Sequence, residues 1–126
     1  YTIVNSDLTY DNYNLGDQFA MLGLSDSANL VGFYDKGSWQ IRAAYNWRDE
    51  FLSSTYDSWR PNPVYVEAYG QLDLNVSYQV NENFSVHAEA INLTDETMRS
   101  HGRNERQVFY ATQTGPRYML GFRYRF

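Results

Sequence analysis

The sequence contains no cysteine, which excludes disulfide bonds, thiolate zinc sites and cysteine nucleophiles. Basic residues are also few: 10 Lys and Arg stand against 15 Asp and Glu, so the formal net charge is -5 at pH 7. Nucleic-acid phosphates require a basic partner surface. The charge balance therefore argues against a nucleic-acid partner.

Long apolar runs are absent as well. No stretch approaches the roughly 18 consecutive apolar residues that a transmembrane helix needs. A transmembrane strand needs only about ten residues of alternating polarity, and half of them are polar. Aromatic residues, in contrast, make up 17% of the 126 residues and include twelve tyrosines. Transmembrane strands thus remain possible, whereas transmembrane helices do not.

Groups with catalytic potential are scattered along the chain. His87 and Glu89 lie two residues apart in a strand-like segment and could bind a metal or transfer a proton, but a hydrated polar face explains them more simply. His101 lies in a charged segment, where we expect it to be solvated. No glycine-rich phosphate loop is present. We therefore expect neither enzymatic activity nor a metal or other cofactor.

The last ten residues, 117–126, alternate strictly between two kinds of side chain. Successive residues of a β-strand point to opposite faces of the sheet. One face therefore carries Tyr118, Leu120, Phe122, Tyr124 and Phe126. The other face carries arginines, a methionine and a glycine. An outer-membrane barrel strand has this pattern, with its apolar face towards lipid and its polar face towards a wet lumen.

Similar alternation recurs upstream and predicts about five full strands plus a partial one. The predicted strands span residues 1–4 (the partial one), 28–34, 38–51, 68–80, 84–93 and 117–126. In 28–34 both faces contain apolar residues, and we favour Ala28, Leu30, Gly32 and Tyr34 on the apolar face. At residues 91–93 the alternation breaks, which suggests a bulge or the membrane boundary. Glycine at position 37 suits a tight hairpin turn.

The connections alternate between short and long. Tight turns near Lys36 and Glu82 separate three long polar segments, 5–27, 52–67 and 95–114, which we interpret as loops. Prolines in 52–67 mark non-strand backbone. Short periplasmic turns and long extracellular loops are typical of outer-membrane barrels. Trp39 and Trp47 share one face and lie about 20 Å apart along a tilted strand, close to the distance between two aromatic girdles. The alternative is that aromatic residues simply favour strands.

Three segments carry a resemblance to a known family. They are 28–34 (ANLVGFY), 69–73 (YGQLD) and 90–95 (AINLTD), followed by a strand that ends in an aromatic residue. In this order they resemble the C-terminal barrel portion of TonB-dependent outer-membrane receptors. Asn-Leu-Thr-Asp at 92–95 is the most specific element. The longer pattern looks most like the sugar-associated branch of that family.

The resemblance implies an all-β fold of antiparallel up-and-down hairpins that forms the C-terminal segment of a 22-stranded transmembrane barrel in the bacterial outer membrane. Residues 1–126 would be one partial barrel domain, without the plug domain. The implied function is active uptake of a scarce nutrient, in the sugar-associated branch a carbohydrate. The implied partners are outer-membrane lipid, the plug and remaining strands of the same receptor, and the TonB complex. The chain opens at Tyr1 in strand-like sequence, so we expect it to be a piece of a longer protein.

The C-terminal strand further resembles the signal that the barrel-assembly machinery reads. The matching residues are Gly121, Tyr124 and Phe126. Met119 departs from the pattern, since a polar residue is usual at its position. The resemblance thus adds the barrel-assembly machinery to the expected partners.

The predicted outer loops contain two clusters that mix aromatic with amide, carboxylate or guanidinium groups. We interpret these side chains as ligand-binding candidates, because an aromatic ring stacks on a sugar while polar groups bind its hydroxyls. The candidates are Tyr10, Asp11, Tyr13, Tyr56, Trp59 and Arg60. Ordinary loop composition is the competing explanation.

Two other functions fit the same alternation. A self-contained small β-barrel, either lipocalin-like or a small outer-membrane barrel, would need more strands than the sequence offers. A role in assembly alone would use the open edges of the first and last strands, which can pair with another chain. Behaviour in detergent against aqueous buffer separates these possibilities.

Overall fold

A computed structural model of the chain describes residues 2–3, 22–58 and 60–126. The described residues form an all-β fold of antiparallel strands joined in part by hairpins. The strands are β1 (Ser27–Lys36), β2 (Trp39–Arg48), β3 (Phe51–Asp57), β4 (Arg60–Val66), β5 (Tyr69–Asn81), β6 (Phe84–Ile91), β7 (Thr97–His101), β8 (Val108–Gln113) and β9 (Arg117–Tyr124). Within this part of the chain, no helix has the length and apolar character needed to span a membrane.

The strands divide into two sheets. One is five-stranded, in the order β1-β2-β5-β6-β9, and the other is four-stranded, in the order β3-β4-β7-β8. The chain correspondingly separates into two compact units. The first contains the described residues of 1–28, 47–69 and 97–113, and the second contains residues 29–46, 70–96 and 114–126.

The five strands of the larger sheet confirm the five full strands expected from the alternation. β6 and β9 pair without a register shift over eight consecutive residue pairs, from Phe84↔Tyr124 to Ile91↔Arg117. Tight turns join β1 to β2 and β5 to β6, and Gly37 has the positive φ (61°) that such a turn requires. Of the partial strand expected at 1–4, only Thr2 and Ile3 are described, and Thr2 forms an isolated antiparallel bridge with Ser27.

Register fixes which side chains share a face of the five-stranded sheet. Val76, Ala88 and Leu120 lie directly opposite one another on β5, β6 and β9 and form an apolar row. The neighbouring row on the other face is Asn75, Glu89 and Met119. Because paired residues point the same way, β5, β6 and β9 present apolar groups to one side and mainly polar groups to the other.

The apolar face extends to β2, where the Trp39 ring lies 4.5 Å from the Tyr78 ring, centroid to centroid. The phase of β1 follows from its polar contacts. The Asn29 amide donates to the Asn46 side chain, and Gln40 donates to Asp35. Asn29 and Asp35 therefore lie on the polar face. This agrees with the phase favoured above, in which the even-numbered residues from 28 to 34 lie on the apolar face.

The break at residues 91–93 is the end of β6 and not a bulge within it. Asn92 has a positive φ of 56° and is only 2% exposed. Its backbone N–H donates to the Asp73 side chain at 3.0 Å, and its side-chain oxygen accepts from the Glu96 N–H at 2.9 Å. Asparagine tolerates this left-handed conformation better than most residues. The left-handed backbone of Asn92 thus ends β6, and its side chain anchors the chain that follows at Glu96.

The interpretation of 52–67 and 95–114 as loops is wrong. These segments contain most of the four-stranded sheet, with β3 paired to β4, β4 to β7 and β7 to β8. Prolines did not prevent strand formation, because Pro61 and Pro63 lie where the β3–β4 register shifts, and β4 pairs with β7 only at Tyr65 and Val66. A proline is tolerated at bulges and on strand edges, where no ladder hydrogen bond is lost. Pro63 is in fact fully buried.

Candidate functional site

The strongest cluster of chemically active side chains lies around His101. This residue belongs to the compact unit that contains the four-stranded sheet, which we call the four-stranded unit. This residue ends β7 and pairs with Tyr65 of β4. Its ring stacks on the Tyr65 ring at a centroid distance of 5.5 Å and is accompanied by the Glu50 carboxylate at 3.0 Å. His101 is 5% exposed. The expectation that it is solvated is therefore wrong, because cross-strand pairing places the ring against β4.

The two ring nitrogens of His101 both face oxygen acceptors. Nδ1 lies 2.8 Å from the Gly102 carbonyl oxygen, and Nε2 lies 3.0 Å from Glu50 Oε2. A carbonyl and an ionised carboxylate can only accept hydrogen bonds, and a neutral imidazole has a single N–H. Protonation of both nitrogens lets each donate to the oxygen it faces, and Glu50 and His101 then form an ion pair.

The electrostatic environment agrees with this protonation. Burial by itself lowers the pKa of His101, but the hydrogen bonds to Glu50 and to the Gly102 carbonyl, together with the charges of Glu50 and Glu67, outweigh it. The pKa of His101 is therefore raised above its ordinary value of 6.5. Glu67 is itself paired with Arg99 at 3.6 Å.

The hairpin between β7 and β8 is held in one conformation by its own hydrogen bonds. The Gly102 N–H donates to the Gln107 carbonyl, and the Gln107 N–H donates to the Asn104 carbonyl, both at 2.9 Å. The Asn104 side chain accepts from the Arg106 N–H at 3.0 Å. The Arg103 guanidinium donates to the Pro61 carbonyl at 3.2 Å. Because the hairpin backbone is already ordered, binding of a ligand to Arg103 and Arg106 would not carry a large entropic cost for ordering the backbone.

The Gln107 side chain closely approaches Gly102, where the hairpin starts. A Cβ atom there would lie 2.4 Å from the Gln107 side-chain oxygen and 3.1 Å from the Phe109 ring. The Gln107 amide oxygen in turn accepts from the Arg103 N–H at 3.2 Å. The close approach of Gln107 to Gly102 thus fixes the backbone that carries Arg103.

A groove of about 720 Å³ lies between these groups; we call it the His101 groove. It is lined by Glu50, Tyr65, His101 and the four hairpin residues 103–106. Its volume is within the range of about 300–1,000 Å³ that is usual for small-molecule sites. An aromatic ring, an ion pair and two arginines together suit a polar ligand with a charged group.

The structure brings together only part of the predicted ligand set. Tyr56 is exposed on β3, and Arg60 begins β4, paired with Asp57 across the Ser58 turn. Tyr10, Asp11, Tyr13 and Trp59 lie outside the described residues. Neither Tyr56 nor Arg60 lines the His101 groove. Their role in binding remains a prediction.

The groove residues Glu50 and Tyr65 were missed by sequence reasoning. Glu50 stands next to Asp49 in a polar stretch, and Tyr65 lies in a segment interpreted as a loop. The available signal was the apolar pattern Val64-Tyr65-Val66, a short β-branched and aromatic run that is typical of strands. The adjacent prolines concealed it.

The residues of the predicted assembly signal lie at one edge of the five-stranded sheet. Gly121 and Tyr124 are on β9, and the Phe126 ring packs edge-on against Tyr124 with centroids 5.2 Å apart. Gly121 faces His87 across the β6–β9 pair. A Cβ atom at Gly121 would lie 2.2 Å from His87 Nε2, so the imidazole occupies the space above the glycine.

Comparisons with known protein families, with curated proteins and with solved structures found no match to this chain.

Proposed function

We propose that this chain is a barrel-wall segment of a TonB-dependent active-transport receptor in the bacterial outer membrane, which imports a scarce nutrient. One observation supports this proposal above the others: the five-stranded sheet has a continuous apolar face that is open to its surroundings. On β9, Leu120 is 77% exposed and Phe122 is 76% exposed. Tyr118 and Tyr124 on the same face are exposed as well.

Exposure of this apolar face to water is energetically unfavourable. Each exposed leucine or phenylalanine would gain about 1.5–3 kcal/mol on transfer to an apolar environment. Monomeric soluble proteins rarely leave a contiguous apolar patch of this kind uncovered. Lipid hydrocarbon would cover the face of all five strands at once, which a single docked helix or peptide would not.

The opposite face fits the lumen of such a barrel. Its rows contain Asn75 and Glu89, then Ser77 and His87, with Arg123 near the end of β9. These groups are suited to water or to a polar plug domain, the partner that the resemblance implies. The edge strands β1 and β9 would continue into the remaining strands of the same receptor, since a barrel in lipid tolerates no open edge.

In this proposal the four-stranded unit, built from the predicted outer segments, contributes to ligand capture. Its mixture of tyrosine, arginine and carboxylate side chains would bind a polar nutrient such as a carbohydrate. The TonB complex would then supply the energy for release and entry, acting through the plug. The chain itself performs no chemistry on the nutrient.

Site-directed spin labelling tests the membrane assignment. The 126 residues contain no cysteine, so L120C and M119C each introduce a single attachment point within them. The two positions are adjacent on β9 and point to opposite faces. In the natural gene product, embedded in phospholipid vesicles, the label at 120 should be accessible to oxygen and shielded from a water-soluble nickel complex. The label at 119 should show the reverse.

A second pair on β6 serves as the control for local perturbation. Ala88 pairs with Leu120, and Glu89 pairs with Met119, so A88C and E89C should repeat the two patterns. Labels at 88 and 120 that are as accessible to the nickel complex as those at 89 and 119 would contradict a lipid-facing surface. A gene product that stays monomeric in buffer without detergent would instead favour a water-soluble carrier.

A further inference from the structure

We propose that the His101 groove is a binding site for a ligand that carries a carboxylate, which Arg103 and Arg106 bind while His101 neutralises the neighbouring Glu50. This inference rests on the proposed function and deepens it, because it names the chemistry by which the imported nutrient is recognised. It does not depend on the identity of the rest of the ligand.

The charge of the groove supports an anionic ligand. The chain as a whole is acidic, with a net charge of -5, yet the hairpin 102–107 contains two arginines and one glutamate. Both arginines line the groove. Guanidinium groups bind carboxylates through paired, charge-assisted hydrogen bonds, and one guanidinium has five N–H donors. Arg103 uses one nitrogen on the Pro61 carbonyl, which orients the group and leaves further donors for a ligand.

Two carboxylates also line the groove and would repel such a ligand. Glu50 is neutralised by the protonated ring of His101, which its Oε2 atom contacts at 3.0 Å. Glu105 stands between Asn104 and Arg106 on the exposed hairpin, where solvent screens its charge. With the ring protonated, the side chains that line the groove carry three positive and two negative charges.

The neutralisation of Glu50 depends on pH. Several charged groups lie near His101. Glu50 precedes β3, and Glu67, which follows β4, pairs with Arg99 in the middle of β7. The hairpin adds Arg103, Glu105 and Arg106. Histidine is the side chain whose ordinary pKa lies nearest to neutral pH, and the pKa of His101 is raised above that ordinary value. Loss of its proton leaves Glu50 uncompensated and weakens binding of an anion.

Isothermal titration of the purified natural gene product tests the site with three probes. Trigalacturonate supplies carboxylates on a sugar, its methyl ester is the neutral counterpart, and a triglutamate peptide supplies carboxylates on a different backbone. At about pH 6 the wild-type protein should bind a carboxylate probe about tenfold more tightly than the methyl ester. Preference for trigalacturonate or for the peptide identifies the source of the carboxylate.

Variants locate the binding site in the groove. R103A and R106A should each weaken binding of the carboxylate probe about tenfold, because each removes a charge-assisted hydrogen bond. R117A is the matched control, since Arg117 is an exposed arginine on β9 and does not line the groove, and its affinity should equal that of the wild type.

E50Q distinguishes a role for the charge of Glu50 from a purely structural role of its contact with His101. A glutamine amide can donate to Nε2 of a neutral ring, so the contact survives without its charge. Wild-type affinity for the carboxylate should fall about fivefold between about pH 6 and pH 8.5, and the fall should be smaller in E50Q, where the ring lacks the carboxylate that favours its protonated form. A cooperative thermal unfolding transition of E50Q confirms that it folds.

Three results would overturn the inference: absence of binding by both carboxylate probes, equal affinity for trigalacturonate and its ester, or unchanged affinity in R103A and R106A. None of them bears on the lipid-facing surface, which the spin labels at 119 and 120 test separately. Lipid exposure at position 120 without carboxylate preference would leave the receptor proposal standing and remove only this one.

Discussion

The two sheets of this chain are stabilised in different ways. In the five-stranded sheet β6 and β9 pair without a register shift, and the apolar side chains of β9 are exposed. In the four-stranded sheet the register shifts at several points, and Leu52, Pro63, Ser100 and His101 are buried. The first sheet therefore leaves much apolar surface uncovered, whereas the second buries polar as well as apolar side chains.

This difference predicts where a substitution does most harm. On the five-stranded sheet the environment outside the chain sets the cost of a change, so adjacent residues on opposite faces should respond in opposite ways. In the four-stranded sheet a polar network inside the unit sets the cost, so pH should matter more than the choice of lipid or detergent.

The largest effect is expected from a charge on the apolar face. L120R should destabilise the protein by about 3 kcal/mol in phospholipid vesicles, since an arginine towards the middle of the membrane costs about 2–4 kcal/mol. M119R, on the polar face, should change stability by less than about 0.5 kcal/mol. Urea unfolding of the natural gene product in vesicles measures both. Equal losses of stability in L120R and M119R would show that the two faces of β9 lie in the same environment and would contradict a lipid-facing surface.

A smaller loss is expected at the end of β6. N92A removes the side chain that binds both the N–H and the carbonyl of Glu96, and it places alanine at a positive φ. We expect a loss of about 2 kcal/mol, because the partly buried N–H and carbonyl of Glu96 lose their partner and alanine is strained at a positive φ. T94A, in the same exposed turn, is the control and should be neutral in the same urea titration. A neutral N92A would show that the network around Asn92 does not anchor the strand end.

The four-stranded unit should lose stability as pH rises. The pKa of His101 is raised in the folded protein, so its contribution is fully present below the ordinary value of 6.5 and disappears as pH rises through the folded pKa. We expect about 1 kcal/mol, a reduced figure because the Glu50 side chain is 45% exposed and partly screened. Amide hydrogen exchange in β7, corrected for the intrinsic pH effect, measures this. E50Q should reduce the dependence, because it removes the carboxylate that most strongly raises the pKa of His101. Wild-type protection that does not change with pH would contradict the ion pair.

The difference between the two sheets also explains which strands could be predicted from the sequence. Strict alternation, as in Leu72 to Val80 and Tyr118 to Phe126, is the pattern of a sheet whose two faces differ in polarity, so the strands of the five-stranded sheet were predictable. The four-stranded sheet has no such uniformity. Bulges near Ser54 and Ser100 interrupt its period, and prolines occupy the part of β4 that precedes its pairing with β7. Its strands were therefore read as loops.

The candidate site was hidden for a related reason. His101 was visible in the sequence, but its partners Glu50 and Tyr65 come from segments 51 and 36 residues away. Only the β4–β7 pairing brings them together, and a sheet that is not predicted cannot supply its cross-strand neighbours. Gly121 illustrates the opposite case: its strand was predicted, but the contact that uses the glycine depends on the rotamer of His87.

The smallest expected effect concerns that contact. In G121A the new methyl group would meet the far end of the His87 ring, a flexible side chain that can rotate away. We therefore expect a cost of only about 0.5–1 kcal/mol, the range for a side chain displaced from its preferred rotamer. H87A should remove this cost, so that the double variant H87A/G121A is no less stable than H87A alone. Persistence of the loss in the double variant would mean that β9 requires glycine for its backbone or for recognition by the assembly machinery. The urea midpoints of the four proteins in vesicles, together with their yields in the outer membrane, separate these two roles, because recognition would lower the yield and leave the midpoint unchanged.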